Sequence, residues 1–306
     1  MTQRVVSELA TEKSARRASE HLRSGKGAGD ENFPVASRLI RRRHRPIILA
    51  FYEFVRVADD IADHPSLPAQ EKLERLDRLE SSLLDDGEDE PVGRKLGALL
   101  DSRGLSTRHA QDLLSAFRQD VTKHRYENWD ELIDYCSRSA MPVGRFVLDV
   151  HGEDRSTWPA SDALCAALQI INHLQDCAAD YRTLNRVYLP LDMLAICNIG
   201  VEALAAARAS PALRDCLNTA TERTAALLRQ SQGLEAGVSD TRLSLEIAAI
   251  QALAWRLIAM LRLRDPLSER AHLTKAGALS TIAAAAVRGL LRRLLRNAPT
   301  RRYQLP

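Results

Sequence analysis

The chain has 306 residues, 45% hydrophobic and 27% charged, a balance that excludes a disordered or fibrous protein and leaves room for one large core or two ordinary domains. A net charge of +3 is too mild to announce a nucleic-acid binder. The five cysteines all lie at least twelve positions apart, which excludes a C-x-x-C pair and zinc-ligand spacing.

Residues 1–29 read as a flexible arm. They carry charges throughout and set Gly25, Gly27 and Gly29 beside charged residues, so ordering them would bury too little apolar surface to offset the lost entropy. They hold no apolar stretch of signal-peptide type, which together with the scattered thiols implies a cytoplasmic protein. The run RLIRRRHRP (38–46) lacks interleaved aromatics and reads as a solvated helix end, not a nucleic-acid contact. The segments IILAFYEFVRVADDIAD (47–63), EKLERLDRLESSLL (71–84), ALCAALQIINHLQDCAADY (163–181) and LSLEIAAIQALAWRLIAML (243–261) then repeat apolar residues at helical spacing. Glycine and proline gather at 85–93, 151–159, 186–200 and 264–267, which read as connections. About eight helices with no convincing strand make the expected fold class all-α, a single-domain helical bundle over 30–286. The last stretch, RGLLRRLLRNAPTRR (288–302), is a short basic amphipathic helix within a tail at 287–306. It either meets an anionic membrane surface as a peripheral contact or docks its leucines on the body.

Two acidic motifs stand out. Asp59, Asp60 and Asp63 close an apolar helix in RVADDIADH, and at about 100° per residue Asp59 and Asp63 share one face with Asp60 on the flank. A solvated helix end would look the same in isolation. The helix macrodipole disfavours anions there, so a cation should compensate. Asp176 and Asp180 repeat the i, i+4 spacing in NHLQDCAADYR, with Asn172 and Gln169 earlier on the same stripe and apolar residues around it. Two such clusters ask for divalent cations, arginines or both, and hard oxygen donors suit Mg²⁺, which completes its shell with water and phosphate oxygens. Tyr52 and Arg56 precede the first motif by one-turn steps, and Arg186 and Tyr188 follow the second. A guanidinium is the usual partner of phosphate oxygens.

Taken in order, ENFPVAS, FVRVADDIAD, YCSRSAMPVGR and NHLQDCAADYRTLNRVYLP resemble the squalene/phytoene synthase family of head-to-head prenyl diphosphate enzymes, over about residues 31–280. That resemblance implies an isoprenoid synthase fold with a central cavity, and two facing Asp motifs whose two or three Mg²⁺ ions hold the diphosphate of a C15 or C30 prenyl substrate. It makes Asp59, Asp60 and Asp63 the first metal motif and Asp176, Asp180 and Asn172 the second. Arg56 and Arg186 become diphosphate-binding, Tyr52, Tyr135 and Tyr188 pocket tyrosines, and Gln169 and Gln175 substrate contacts. Ala140 and Gly144 mark a helix break that makes room for the prenyl tail, with Phe33 and Phe51 as apolar walls. The NFPVAS opening and the Gln175–Asp176 pair are most similar to the bacterial, hopanoid-forming branch, in which presqualene diphosphate ionises, rearranges and captures water without NADPH. Neighbouring pathway enzymes are the implied protein partners. Some relatives carry Arg where this chain has Gln175, and tyrosine is expected where it has Trp255. Presqualene diphosphate, squalene or phytoene synthesis, and a non-catalytic assembly role on the same fold, remain alternatives.

Overall fold

A computed structural model describes residues 40–87, 90–274 and 276–285. The expected arm at 1–29, Phe33 with its ENFPVAS segment, and the tail at 287–306 lie outside the described residues. Among those described every regular element is helical, and the chain forms two compact units.

The first unit, from Arg45 to His124, contains α1 (Arg45–Ala62), α2 (Ala69–Leu83), α3 (Pro91–Asp101) and α4 (Arg108–Thr122). Helix α1 packs against the other three. Its buried residues Ile47, Ile48, Phe51, Phe54, Ala58, Ile61 and Ala62 recur at helical spacing, each large one worth about 1.5–3 kcal/mol of burial. Helix α3 lies backbone-close to α2. A Cβ on Gly93 would stand 2.8 Å from the Leu79 carbonyl oxygen, and one on Gly97 would collide with the Leu83 carbonyl. Pro91 opens α3 in its first turn, so the connection expected at 85–93 ends three residues early.

The second unit comprises residues 40–44 and the chain from Arg125 onward. It contains α5 (Trp129–Ser139), α6 (Met141–His151), α7 (Trp158–Leu184), α8 (Leu191–Ile196), α9 (Pro211–Gln230), α10 (Leu234–Gly237), α11 (Thr241–Leu263) and α12 (Ala276–Ala285). Helix α7 is its axis and packs against α5, α6, α9 and α11. Asn128 caps α5 by accepting the Glu131 N–H at 3.0 Å. The MPVG break falls as expected: Ala140 leaves helical geometry at φ −126°, ψ −47°, and Pro142 lies in the first turn of α6. Arg41 to Arg43 are exposed, as the reading of the basic run anticipates, but His44 is buried against His151 with ring centroids 4.4 Å apart. Arg41 pairs with Asp240 at 2.7 Å, and Asp240 itself caps α11.

The connection expected over 186–200 is not continuous. Pro190 presets the turn that opens α8, and the first two α8 N–H groups are taken by the carbonyls of Tyr126 and Glu127. Helix α11 is long and apolar enough to cross a membrane by length and composition, yet Leu243, Ile247, Leu253, Leu257 and Leu261 are buried and it packs on α7, α9 and α10.

Candidate active site

The first acidic motif sits at the C-terminal end of α1. Arg56, one turn earlier, bonds Asp59 Oδ2 at 2.8 Å and Asp60 Oδ1 at 3.2 Å, and so supplies the cation that the macrodipole requires. One guanidinium does not neutralise the cluster. Burial foremost, then the charge of Asp63, push Asp59 up to about 7 against the pull of Arg56, with Asp60 and Asp120 adding to the rise. Asp120, buried on α4, is thus part of this electrostatic group. It has no motif around it in the sequence, and only the packing of α4 on α1 brings it in. Tyr52 is half-buried on the same helix, whereas Phe51 is in the core of the first unit.

The second motif occupies the last two turns of α7. Asp176 is exposed and Asp180 half-exposed, so these carboxylates are open to solvent and not enclosed by their apolar neighbours as the pattern suggested. Gln175 beside them is buried and donates its amide to the Ala271 carbonyl, tying α7 to the segment after α11. Asn172 is half-buried one turn earlier. Helix α7 ends at Asn185, in the left-handed region at φ 51°, ψ 32°, and both the Asn185 and Arg186 N–H groups return to the Asp180 carbonyl. The Asp180 carbonyl thus accepts from residues five and six positions on, a wide helix-ending turn whose left-handed residue suits asparagine. It anchors the backbone N–H of Arg186, a buried residue, at Asp180.

Beside this turn lies an aromatic cluster. Tyr188 stacks on His173 at 3.4 Å and on Tyr126 at 5.6 Å, and Tyr135 stands 5.7 Å from Tyr188 and 5.2 Å from Tyr126. Burial and then Arg186 lower His173 to about 3, so its ring is uncharged at neutral pH. The Gln169 amide meets His173 Nε2 at 3.1 Å and can only donate there, which leaves the ring proton on Nδ1. Tyr126 and His173 escaped the sequence reading. His173 could have been found, since it falls one turn after Gln169 on the polar stripe; Tyr126 carries no such signal.

A narrow cavity runs behind the cluster, lined by Trp129, Leu132, His173, Leu174, Cys177 and Tyr188 among others, with room for about one water molecule. It is too small for a prenyl chain. Gly144 has a packing role: a Cβ there would stand 2.6 Å from Cys165 Sγ and closer still to Ser161 Oγ, so α6 reaches α7 only because that atom is absent. Ala140 is buried at the break between α5 and α6.

The donor set suits a hard divalent cation. Burial first, and then the neighbouring carboxylates, hold Asp59 near 7, so added positive charge would be favourable there. Among the described residues no three His, Cys, Asp or Glu side chains converge as a closed cage, but Mg²⁺ needs only one or two carboxylates and takes its other ligands from water and phosphate.

Described residues that are all-helical in their regular elements, with an aspartate motif on each of two apolar helices, fit the family that the sequence resembles. Comparison with known proteins bears out the family and the helical fold. A family model described as squalene/phytoene synthase matches residues 26–277, and the chain belongs to that family. It is 60% identical over 256 residues to the hydroxysqualene synthase of Rhodopseudomonas palustris, covering 84% of this chain and 88% of that one. It is 55% identical to the hydroxysqualene synthase of Sinorhizobium fredii, over 80% of this chain and 84% of its relative. The solved structure of squalene synthase HpnC from Alicyclobacillus acidocaldarius superposes with a TM-score of 0.64 at 28% identity, covering 90% and 95% of the two chains.

Proposed function

We propose that the chain is a hydroxysqualene synthase: it ionises presqualene diphosphate, lets the cyclopropylcarbinyl cation rearrange, and adds water, giving hydroxysqualene, inorganic diphosphate and a proton. The observation that carries this reading is the 60% identity to the Rhodopseudomonas palustris enzyme of that name across most of both chains.

In this reading Asp59, Asp60 and Asp63 would hold Mg²⁺ at the first motif, and Asp176, Asp180 and Asn172 would hold it at the second. When bound, the metal supplies positive charge to the departing diphosphate oxygens, an effect of several kcal/mol on such a step. Arg186 binds the diphosphate from its turn beside Asp180. Arg56, already engaged with Asp59 and Asp60, orients the first motif and shares the load of negative charge. Tyr52 stands one turn before it to meet the leaving group. Tyr135 and Tyr188 offer π-faces to the carbocation, and His173, being uncharged, does not repel it. Gln169 holds that ring in register. Ala140 keeps its stretch of the prenyl route apolar, and Gln175 fixes the α7 face from which water would approach.

The test is direct. Purified protein given presqualene diphosphate and Mg²⁺, with no NADPH, should release diphosphate and yield hydroxysqualene. Recovery of squalene, of phytoene or of unchanged substrate rejects the reading. A C30 substrate is delivered from membrane, which gives the basic tail at 287–306 an anionic surface to meet. Sedimentation with anionic vesicles should fall when that tail is removed, and unchanged sedimentation excludes the contact.

A further inference from the structure

The short segment between α4 and α5 has no part in the chemistry described so far, yet it grips the turn after α7 at four points. Arg125 donates one guanidinium nitrogen to the Asn185 carbonyl and another to Asn185 Oδ1 at 2.7 Å. Its guanidinium carbon also lies 5.9 Å from the centre of the Tyr181 ring on α7. The Tyr126 carbonyl accepts the Leu191 N–H at 2.9 Å, and the Glu127 carbonyl accepts the Asp192 N–H at 3.0 Å. The Tyr126 ring stacks on Tyr188. The segment is itself held, since Glu131 accepts the Glu127 N–H at 2.5 Å and Asn128 caps α5.

All of these bonds bracket one stretch of chain, residues 185–192, which carries Arg186 and Tyr188. We infer that residues 125–127 form a clasp that presets Arg186 for diphosphate, with Arg125 a positioning residue that acts through Asn185. The inference rests on the reading of Arg186 as a diphosphate ligand. Its physical basis is the geometry of the turn. Asn185 is a single left-handed residue on which the chain reverses, so a small change in its dihedrals swings the whole of Arg186 relative to Asp180. A forked guanidinium that bonds both the backbone and the side chain of that residue leaves it one conformation, whereas an ammonium would engage a single acceptor. Displacements of about 1 Å in a positioning group cost as much as about a hundredfold in a reaction, so a modest loosening is measurable.

The experiment titrates inorganic diphosphate with Mg²⁺ into the full chain by calorimetry, for wild type, Arg125→Ala, Arg125→Lys, Arg186→Ala and the Arg125→Ala/Arg186→Ala pair. Arg125→Ala should weaken diphosphate binding by about tenfold, and Arg125→Lys should recover part of that. In the Arg186→Ala background the same substitution should cost less than about twofold, because a residue that works only through Arg186 has nothing left to position. Should Arg125→Ala fail to fold, Asn185→Gly keeps the left-handed turn while deleting only the Oδ1 acceptor, and should weaken binding by about threefold. Wild-type affinity in Arg125→Ala, or losses that multiply fully in the double variant, would overturn the clasp. Because the readout is diphosphate binding and not product, a wild type that binds diphosphate with these couplings but makes no hydroxysqualene refutes the functional reading and leaves the clasp standing.

Discussion

At the scale of single residues the first acidic motif is marked by one strongly perturbed carboxyl. Asp59 has a folded value near 7 against about 3.9 for a free aspartate, so between these values the folded protein binds more protons than the unfolded chain. Stability from this group is therefore lost as pH rises from about 4 to about 7. In chelator, the melting temperature of wild type should fall over that interval more steeply than that of Asp59→Asn, and parallel profiles would show that Asp59 is not perturbed. The second motif predicts differently. Asp176 is exposed, so Asp176→Ala removes no packing and should abolish turnover while leaving circular dichroism and melting near wild type. Undiminished turnover would remove that residue from the mechanism.

At the scale of elements, two helix pairs approach through missing Cβ atoms. The α6–α7 pair closes on Gly144, where a side chain would meet Ser161 and Cys165. Gly144→Val should destabilise by about 1–3 kcal/mol, the usual cost of forcing bulk into a packed contact, read as a lower urea midpoint at unchanged slope. An unshifted midpoint would mean that α6 can move away at no cost. The element scale is also where the sequence was most legible. Apolar periodicity marked α1, α2, α7 and α11 within a few residues, because each buries one stripe, or nearly its whole surface, and helical spacing records that directly. Helix α8 was not legible. Its six residues are too few to show a period, and what holds it is Pro190 with two carbonyls from residues 126 and 127, distant in sequence.

At the scale of the whole molecule, the proposed chemistry needs a metal that the fold does not need. Helical packing accounts for both units without it, so EDTA should stop diphosphate release while far-UV circular dichroism stays constant, and added Mg²⁺ should restore activity. Activity that persists in chelator would refute the metal reading.

What could be read from residue order alone was whatever repeats along one helix: the all-α class, the i, i+4 aspartates, Arg56 a turn before them, and the break at Ala140 and Pro142. A helix converts spacing into direction, so these needed no coordinates. Folding alone decided what joins distant segments. It drew Asp120 into the Asp59 group, gathered Tyr126, Tyr135, His173 and Tyr188 into one cluster, tied Gln175 to Ala271, and locked Arg125 onto Asn185. Such contacts span from nine residues, between Tyr126 and Tyr135, to 96, between Gln175 and Ala271, and carry no period. They depend on how helices pack, which is a property of surfaces meeting and not of any one segment.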